Sequence, residues 1–226
     1  MKRGPAEIGR TSDRPSIQAA PLTPQGISVA SQHLAKRDRH LAQILKQHGP
    51  PPLWGRSQTF PTLVRIILEQ QVSLASAASV FARLSRSIVP FTPERFIALG
   101  EEYLRSLGVT RQKSAYCLTL ARSLSDRSLS LRSLSRMSDD DARTLLMSHK
   151  GIGTWSADIY LLMALRRPDI WPSGDVALVT AVTQLKQLTT RPDADELLRI
   201  AESWRPYRAV AARMLWQYYL AERNRL

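Results

Sequence analysis

The sequence predicts an all-α protein. Apolar residues recur at helical spacing almost everywhere after residue 26, and no alternating apolar/polar run lasts more than a few residues. The breaks in the pattern fall at Gly, Pro and Ser/Thr/Asp positions suited to helix ends. With 226 residues and 43% apolar composition, the chain can bury one sizeable core or two small ones. Residues 1–26 are rich in Pro, Ser, Gly and charge and have no apolar period, so a disordered tail is expected there, ahead of a folded region 27–226.

Each helix has its own justification. Leu34, Leu41, Ile44 and Leu45 form one stripe, ended by Gly49 and prolines 50–52. Leu63, Ile66 and Ile67, then Leu74, Ala77, Ala78 and Phe81, mark a helix pair around Gln70-Gln71-Val72-Ser73, with Ser73 as the N-cap of the second. Thr92-Pro93 opens a further helix with proline at its first position, and Tyr103, Leu104 and Leu107 run to a C-cap at Gly108. Tyr116, Leu120 and Leu124 keep the helical period. The Ser/Leu-rich run 123–135 is expected to be a surface connector with short turns. Ser138 with Asp141 makes a capping-box-like start before Leu145 and Leu146, and a last helix runs from about Tyr207 to Glu222.

Bulk chemistry narrows the function classes. Lys and Arg number 32 against 19 Asp and Glu, a net charge of +13. That excess favours an anionic partner, with nucleic acid the usual one, or else serves solubility alone. One cysteine, Cys117, excludes an intramolecular disulfide, a cysteine-based zinc site and a four-cysteine iron–sulfur cluster. No apolar run follows the basic N-terminal residues, and no apolar segment reaches the roughly 18 residues of a membrane span. A soluble intracellular protein is expected, cytoplasmic in a bacterium or nuclear in a eukaryote.

Two stretches carry chemistry. In HKGIGTWSAD, residues 149–158, Gly151 and Gly153 bracket Ile152 at a tight corner between helices ending near Ser148 and starting at Thr154. Glycines there would permit positive φ and close backbone approach, with Ile152 plugged between the helices. The amides of Gly153 and Thr154 would lie at a helix N-terminus, where unpaired donors suit a phosphate, while leftover carbonyls could bind a cation. From the hairpin alone, an ordinary helical corner that needs glycine for steric reasons is the simpler reading. In WPSGDVAL, residues 171–178, Asp175 precedes the helix of Val176, Val179 and Val182. It can be an N-cap, a catalytic carboxylate kept ionised by the helix dipole, or both.

Together with ILEQQVSLASAA at 67–78 and WRPYRAVAARMLW at 204–216, these stretches resemble the helix-hairpin-helix DNA glycosylases, specifically the DNA-3-methyladenine glycosylase II branch. The resemblance covers about residues 30–222 and lacks the N-terminal β-domain of longer relatives. It implies two helical lobes flanking a cleft. One lobe spans about 60–170 and includes the hairpin at 145–165; the other combines N-terminal helices 27–50 with C-terminal helices 171–226. It also implies an enzyme of base excision repair that flips an alkylated purine out of double-stranded DNA and hydrolyses its N-glycosidic bond, working as a monomer without a required cofactor.

On that resemblance Asp175 is the catalytic aspartate. Trp155 and Trp216 are base-pocket aromatics, and Ile159 falls where some relatives carry a pocket tyrosine, with Tyr160 adjacent. Gly151, Gly153 and Thr154 belong to the hairpin that contacts DNA, and Gln71 stands where a side chain enters the gap left by the flipped base. Lys150 departs from the proline often found there and could add a phosphate contact, and Gln71 departs from an apolar wedge. Main-chain oxygens of Met147, His149 and Ile152 correspond to a site for Na+, K+ or another hard cation. Relatives that also nick DNA carry a lysine where this chain has Trp155, so no lyase activity is expected. Arg111 and Lys113 are further candidates for a phosphate-facing surface. The alternatives are a glycosylase for etheno, deaminated or oxidised bases, and a DNA-binding protein without catalysis.

Overall fold

The computed structural model describes residues 20–223, and among them are twelve helices and no strand. Seven consecutive helices form one group: α3 (Phe60–Glu69), α4 (Leu74–Ser87), α5 (Pro93–Ser106), α6 (Arg111–Ser125), α7 (Leu131–Leu134), α8 (Asp139–Met147) and α9 (Thr154–Met163). Within it α3 packs on α4, α6 and α9, α5 on α6, and α8 on α9. The chain ends supply the other group: α1 (Pro24–Arg37), α2 (Arg39–His48), α10 (Val176–Leu185), α11 (Ala194–Glu202) and α12 (Arg208–Ala221). There α1 packs on α2, and α12 on α1, α2 and α10. A single apolar core joins the two groups, from Leu34 through Ile67 and Tyr160 to Val182 and Leu215.

The stripe Leu34–Leu45 is two helices rather than one. Asp38 leaves helical geometry at φ −134° and ψ 113°, and its carboxylate caps α2 by accepting from the amides of His40 and Leu41. The same carboxylate accepts from the Trp204 indole at 2.9 Å and lies 3.4 Å from the Lys186 ammonium. One side chain thus breaks a helix, caps the next and ties the two chain ends together.

Folded structure also starts earlier than expected. Thr23 caps α1, its hydroxyl accepting from the Gly26 amide, and the Leu22 amide donates to the Arg166 carbonyl. Pro24 and Gly26 look like tail composition, but proline is welcome in a first helical turn. Residues 1–19, the greater part of the expected tail, lie outside the described residues. The run 123–135 contributes to the core through Leu129 and Leu134, so it is more than a surface connector. Ser73 and Ser138 cap α4 and α8 as their sequence positions suggest.

Burial alone would raise the Asp38 pKa, but the Trp204 indole, Lys186 and the two amides outweigh it and hold it below its ordinary 3.8. A depressed carboxylate contributes stability above its unfolded pKa and loses it as pH falls through the folded one. Asp38→Ala should therefore cost roughly 2–3 kcal/mol at pH 7. Chemical denaturation should show that gap closing below about pH 4.

Candidate active site

The turn between α8 and α9 is closed by the Ile152 amide donating to the His149 carbonyl at 3.0 Å, and Ile152 is buried as a plug. The two glycines have different reasons. Gly151 has φ +95°, and a Cβ there would meet the Tyr116 ring at 2.3 Å, so both backbone and space demand glycine. Gly153 has φ −92° with open space where a Cβ would stand, which corrects the expectation that both glycines answer steric need. Its effect is on α9 itself, whose N-terminus receives no side-chain cap. Gly153, Thr154 and Lys150 are all exposed around those first-turn amides.

The α3–α4 turn is fastened to this hairpin. The Gln70 amide donates to the Gly151 carbonyl and the Ser156 hydroxyl, each at 2.8 Å. Gln71 follows with φ +55° and is exposed, projecting from a fixed base. The Lys113 ammonium donates to the carbonyls of Leu68 and Gln70 at 2.8 Å. Lys113 therefore closes the end of α3 instead of lining a phosphate-facing surface, and burial lowers its pKa. Arg111 is exposed and lies 3.7 Å from Glu101.

Asp175 is both cap and candidate catalytic group. One oxygen accepts from the Leu178 amide at 3.0 Å and from the Trp216 indole at 3.2 Å. The other accepts from the Trp155 indole at 3.0 Å. Only 9% of the residue is exposed. The turn before it is held from α9, where Asp158, paired with Arg143 at 2.7 Å, accepts from the Ser173 backbone. Burial raises the Asp158 pKa against the pull of Arg143.

The sequence marked Trp155 and Trp216 as pocket aromatics but did not reveal that both donate to the carboxylate. Ile159 and Tyr160 lie deeper along α9 and are buried, with Tyr160 fully enclosed and its hydroxyl partnerless. Burial pushes the Tyr160 hydroxyl pKa up. These two side chains are core here rather than an accessible wall, because α9 turns inward after its first turn. A third tryptophan went unnoticed: Trp54, in the loop between α2 and α3, meets Trp216 edge-on at 6.5 Å and 65°. Its only signal in the sequence is a large aromatic in PPPLWG, where no helical period calls for one.

Residues 64–206 match the family model described as HhH-GPD superfamily base excision DNA repair protein. The chain belongs to this superfamily. The matched span holds Gln71, the hairpin and Asp175, and leaves Trp54 and Trp216 outside. Among similar proteins, a putative DNA-3-methyladenine glycosylase of Bacillus subtilis is 28% identical over 185 residues, covering 78% of this chain and 64% of that one. A Bacillus subtilis DNA-3-methyladenine glycosylase is 30% identical over 196 residues, covering 81% and 65%. This HhH-GPD chain thus spans a little under two thirds of the length of these two relatives. In fold it matches the Schizosaccharomyces pombe 3-methyladenine DNA glycosylase Mag1 in complex with abasic DNA. The TM-score is 0.78 at 24% identity, over 84% of this chain and 95% of that one.

The unequal glycines are testable by thermal or chemical unfolding. Gly151→Ala should lose roughly 2 kcal/mol or more, because positive φ and the Tyr116 ring both oppose a methyl. Gly153→Ala should stay within about 0.5 kcal/mol of the parent.

Proposed function

We propose that this HhH-GPD protein is a monofunctional DNA glycosylase that hydrolyses the N-glycosidic bond of alkylated purines, such as 3-methyladenine, in duplex DNA as a step of base excision repair. The observation that carries the reading is the Asp175 carboxylate, mostly buried yet supplied with two indole donors and a helix amide. The names of the Bacillus relatives and the charge of +13 support it. A DNA-binding protein without catalysis has no need of a carboxylate held this way.

The geometry suits a dissociative hydrolysis. An N-alkylated purine is cationic, so the C1′–N bond can break with its electron pair leaving on the base, which departs neutral. No strong general acid is needed, and no histidine bonds the carboxylate among the described residues. The oxocarbenium-like sugar left behind is stabilised by the nearby anion. Oδ2 has one protein donor and so keeps a lone pair for a water. That water adds to C1′ and gives up its proton to Asp175 or solvent. The α9 residue bonded to the carboxylate is a tryptophan, which has no amine to attack C1′, so strand nicking is not part of the reaction.

DNA is gripped by the exposed, uncapped amides at the start of α9, with Lys150 beside them and Gln71 entering the gap left by the flipped base. Catalysis needs no cofactor. The main-chain oxygens of Met147 and Ile152 accept no hydrogen bond among the described residues, and His149 keeps a second lone pair beside its turn bond. Such a donor set fits Na+, K+ or another hard cation, which would stiffen the hairpin. The protein acts as a monomer on DNA. No described helix is long and apolar enough to cross a membrane.

On methylated duplex DNA the parent should release 3-methyladenine, with nicks appearing only after alkali. Asp175→Asn should lower release by about a hundredfold or more while keeping its affinity for abasic DNA. Nicks before alkali, or release undiminished in the variant, would contradict the reading. Gly153→Ala should weaken binding to abasic DNA in a fluorescence titration without loss of stability, because its methyl enters space left for a phosphate.

A further inference from the structure

Trp54 occupies a costly conformation. Its φ of +45° lies in the left-handed region, which a bulky side chain adopts only when the surroundings enforce it, at roughly 1 kcal/mol or more. The enforcement is visible on both sides. Arg213, fully buried on α12, donates to the carbonyls of Leu53, Ala209 and Leu162 at 2.8–2.9 Å and pairs with no carboxylate among the described residues. Burial pushes its pKa down to about 10, the mark of a charge held away from water. On the other side the Arg56 amide donates to the Met163 carbonyl, while its guanidinium grips Glu69 with two bonds. Gln217 fastens the start of the loop through the His48 carbonyl.

This bracing presents one side chain. Trp54 is half-buried, whereas Trp216, which it meets edge-on, is nearly enclosed and bonded to Asp175. An interplanar angle of 65° makes the two indoles adjoining walls of a corner rather than a stack. Trp155 approaches the same carboxylate from α9. Two indoles thus bond the carboxylate, and the third, Trp54, adjoins one of them.

We infer that Trp54 is a third wall of the base pocket and a specificity-determining residue, selecting cationic, N-alkylated purines through the face of its indole. The inference rests on the glycosylase reading above. A cation over an indole face gains more than over a phenyl ring, and an aliphatic side chain offers no such gain. Abasic DNA has no base for Trp54 to touch, so its binding should not depend on the ring.

The test is single-turnover release of 7-methylguanine from a duplex oligonucleotide by the parent, Trp54→Phe and Trp54→Leu, with affinity for abasic DNA and melting temperature measured alongside. The expected order is parent, then Phe, then Leu, with Leu slower by about tenfold or more and abasic affinity unchanged within about twofold. Equal release by parent and Leu would overturn the inference, since no ring is then needed. So would loss of release and abasic affinity together in both variants, which would make Trp54 a loop scaffold. A parent that releases no base from methylated DNA would overturn the glycosylase reading itself and this inference with it.

Discussion

Asp175 accepts hydrogen bonds from α9, α10 and α12 at once, and much of the molecule is arranged so that it can. A carboxylate taken almost wholly out of water is costly unless donors replace its hydration. Here one donor is the first turn of its own helix, one is an indole from the same helical group, and one is an indole from the other group. The two groups share a core, so the relative placement of these donors is fixed by packing instead of by flexible loops. Asp38 plays a parallel part, joining α2 to the segment before α12, the helix that carries Trp216.

A second set of bonds makes one rigid body of the parts that would meet DNA. Gln70 holds the hairpin carbonyl, Lys113 holds the two carbonyls around Gln70, and the Tyr116 ring lies against Gly151. These bonds tie the first turn of α9 to the turn that carries the exposed Gln71. The same helix that offers those amides places Trp155 on the carboxylate one residue later. On the proposed reading, gripping the backbone, filling the gap and presenting the anion would all depend on the first turn of α9.

Much of this was legible in the sequence, and what was missed has physical causes. The helix caps at Ser73 and Ser138 and the turn glycine at Gly151 could be read because capping and positive φ restrict residue type locally. The break at Asp38 could not, since the apolar stripe continues on the same side across it and the partners that hold Asp38, Lys186 and Trp204, are remote in the chain. The hydrogen bonds from Trp155 and Trp216 to Asp175 depend on tertiary placement, to which periodicity is blind. Tyr160 carries the chemistry of a pocket residue, yet burial makes it core. Lys113 reads as a surface cation, and only the fold shows its ammonium spent on carbonyls. Trp54 left only an aromatic among prolines, because what constrains it is a buried arginine some 160 residues away.

On the proposed reading, two indole N–H groups hold the Asp175 carboxylate where the sugar's charge develops. The most telling measurement is the single-turnover rate of base release by Trp155→Phe and Trp216→Phe, which keep an aromatic ring while removing the N–H donor together with part of the ring. The expected rate is about ten- to a hundredfold lower in each, with affinity for abasic DNA retained, since a hydrogen bond to a charged group is worth about 1.5–3 kcal/mol. Rates equal to the parent's in both variants would contradict it.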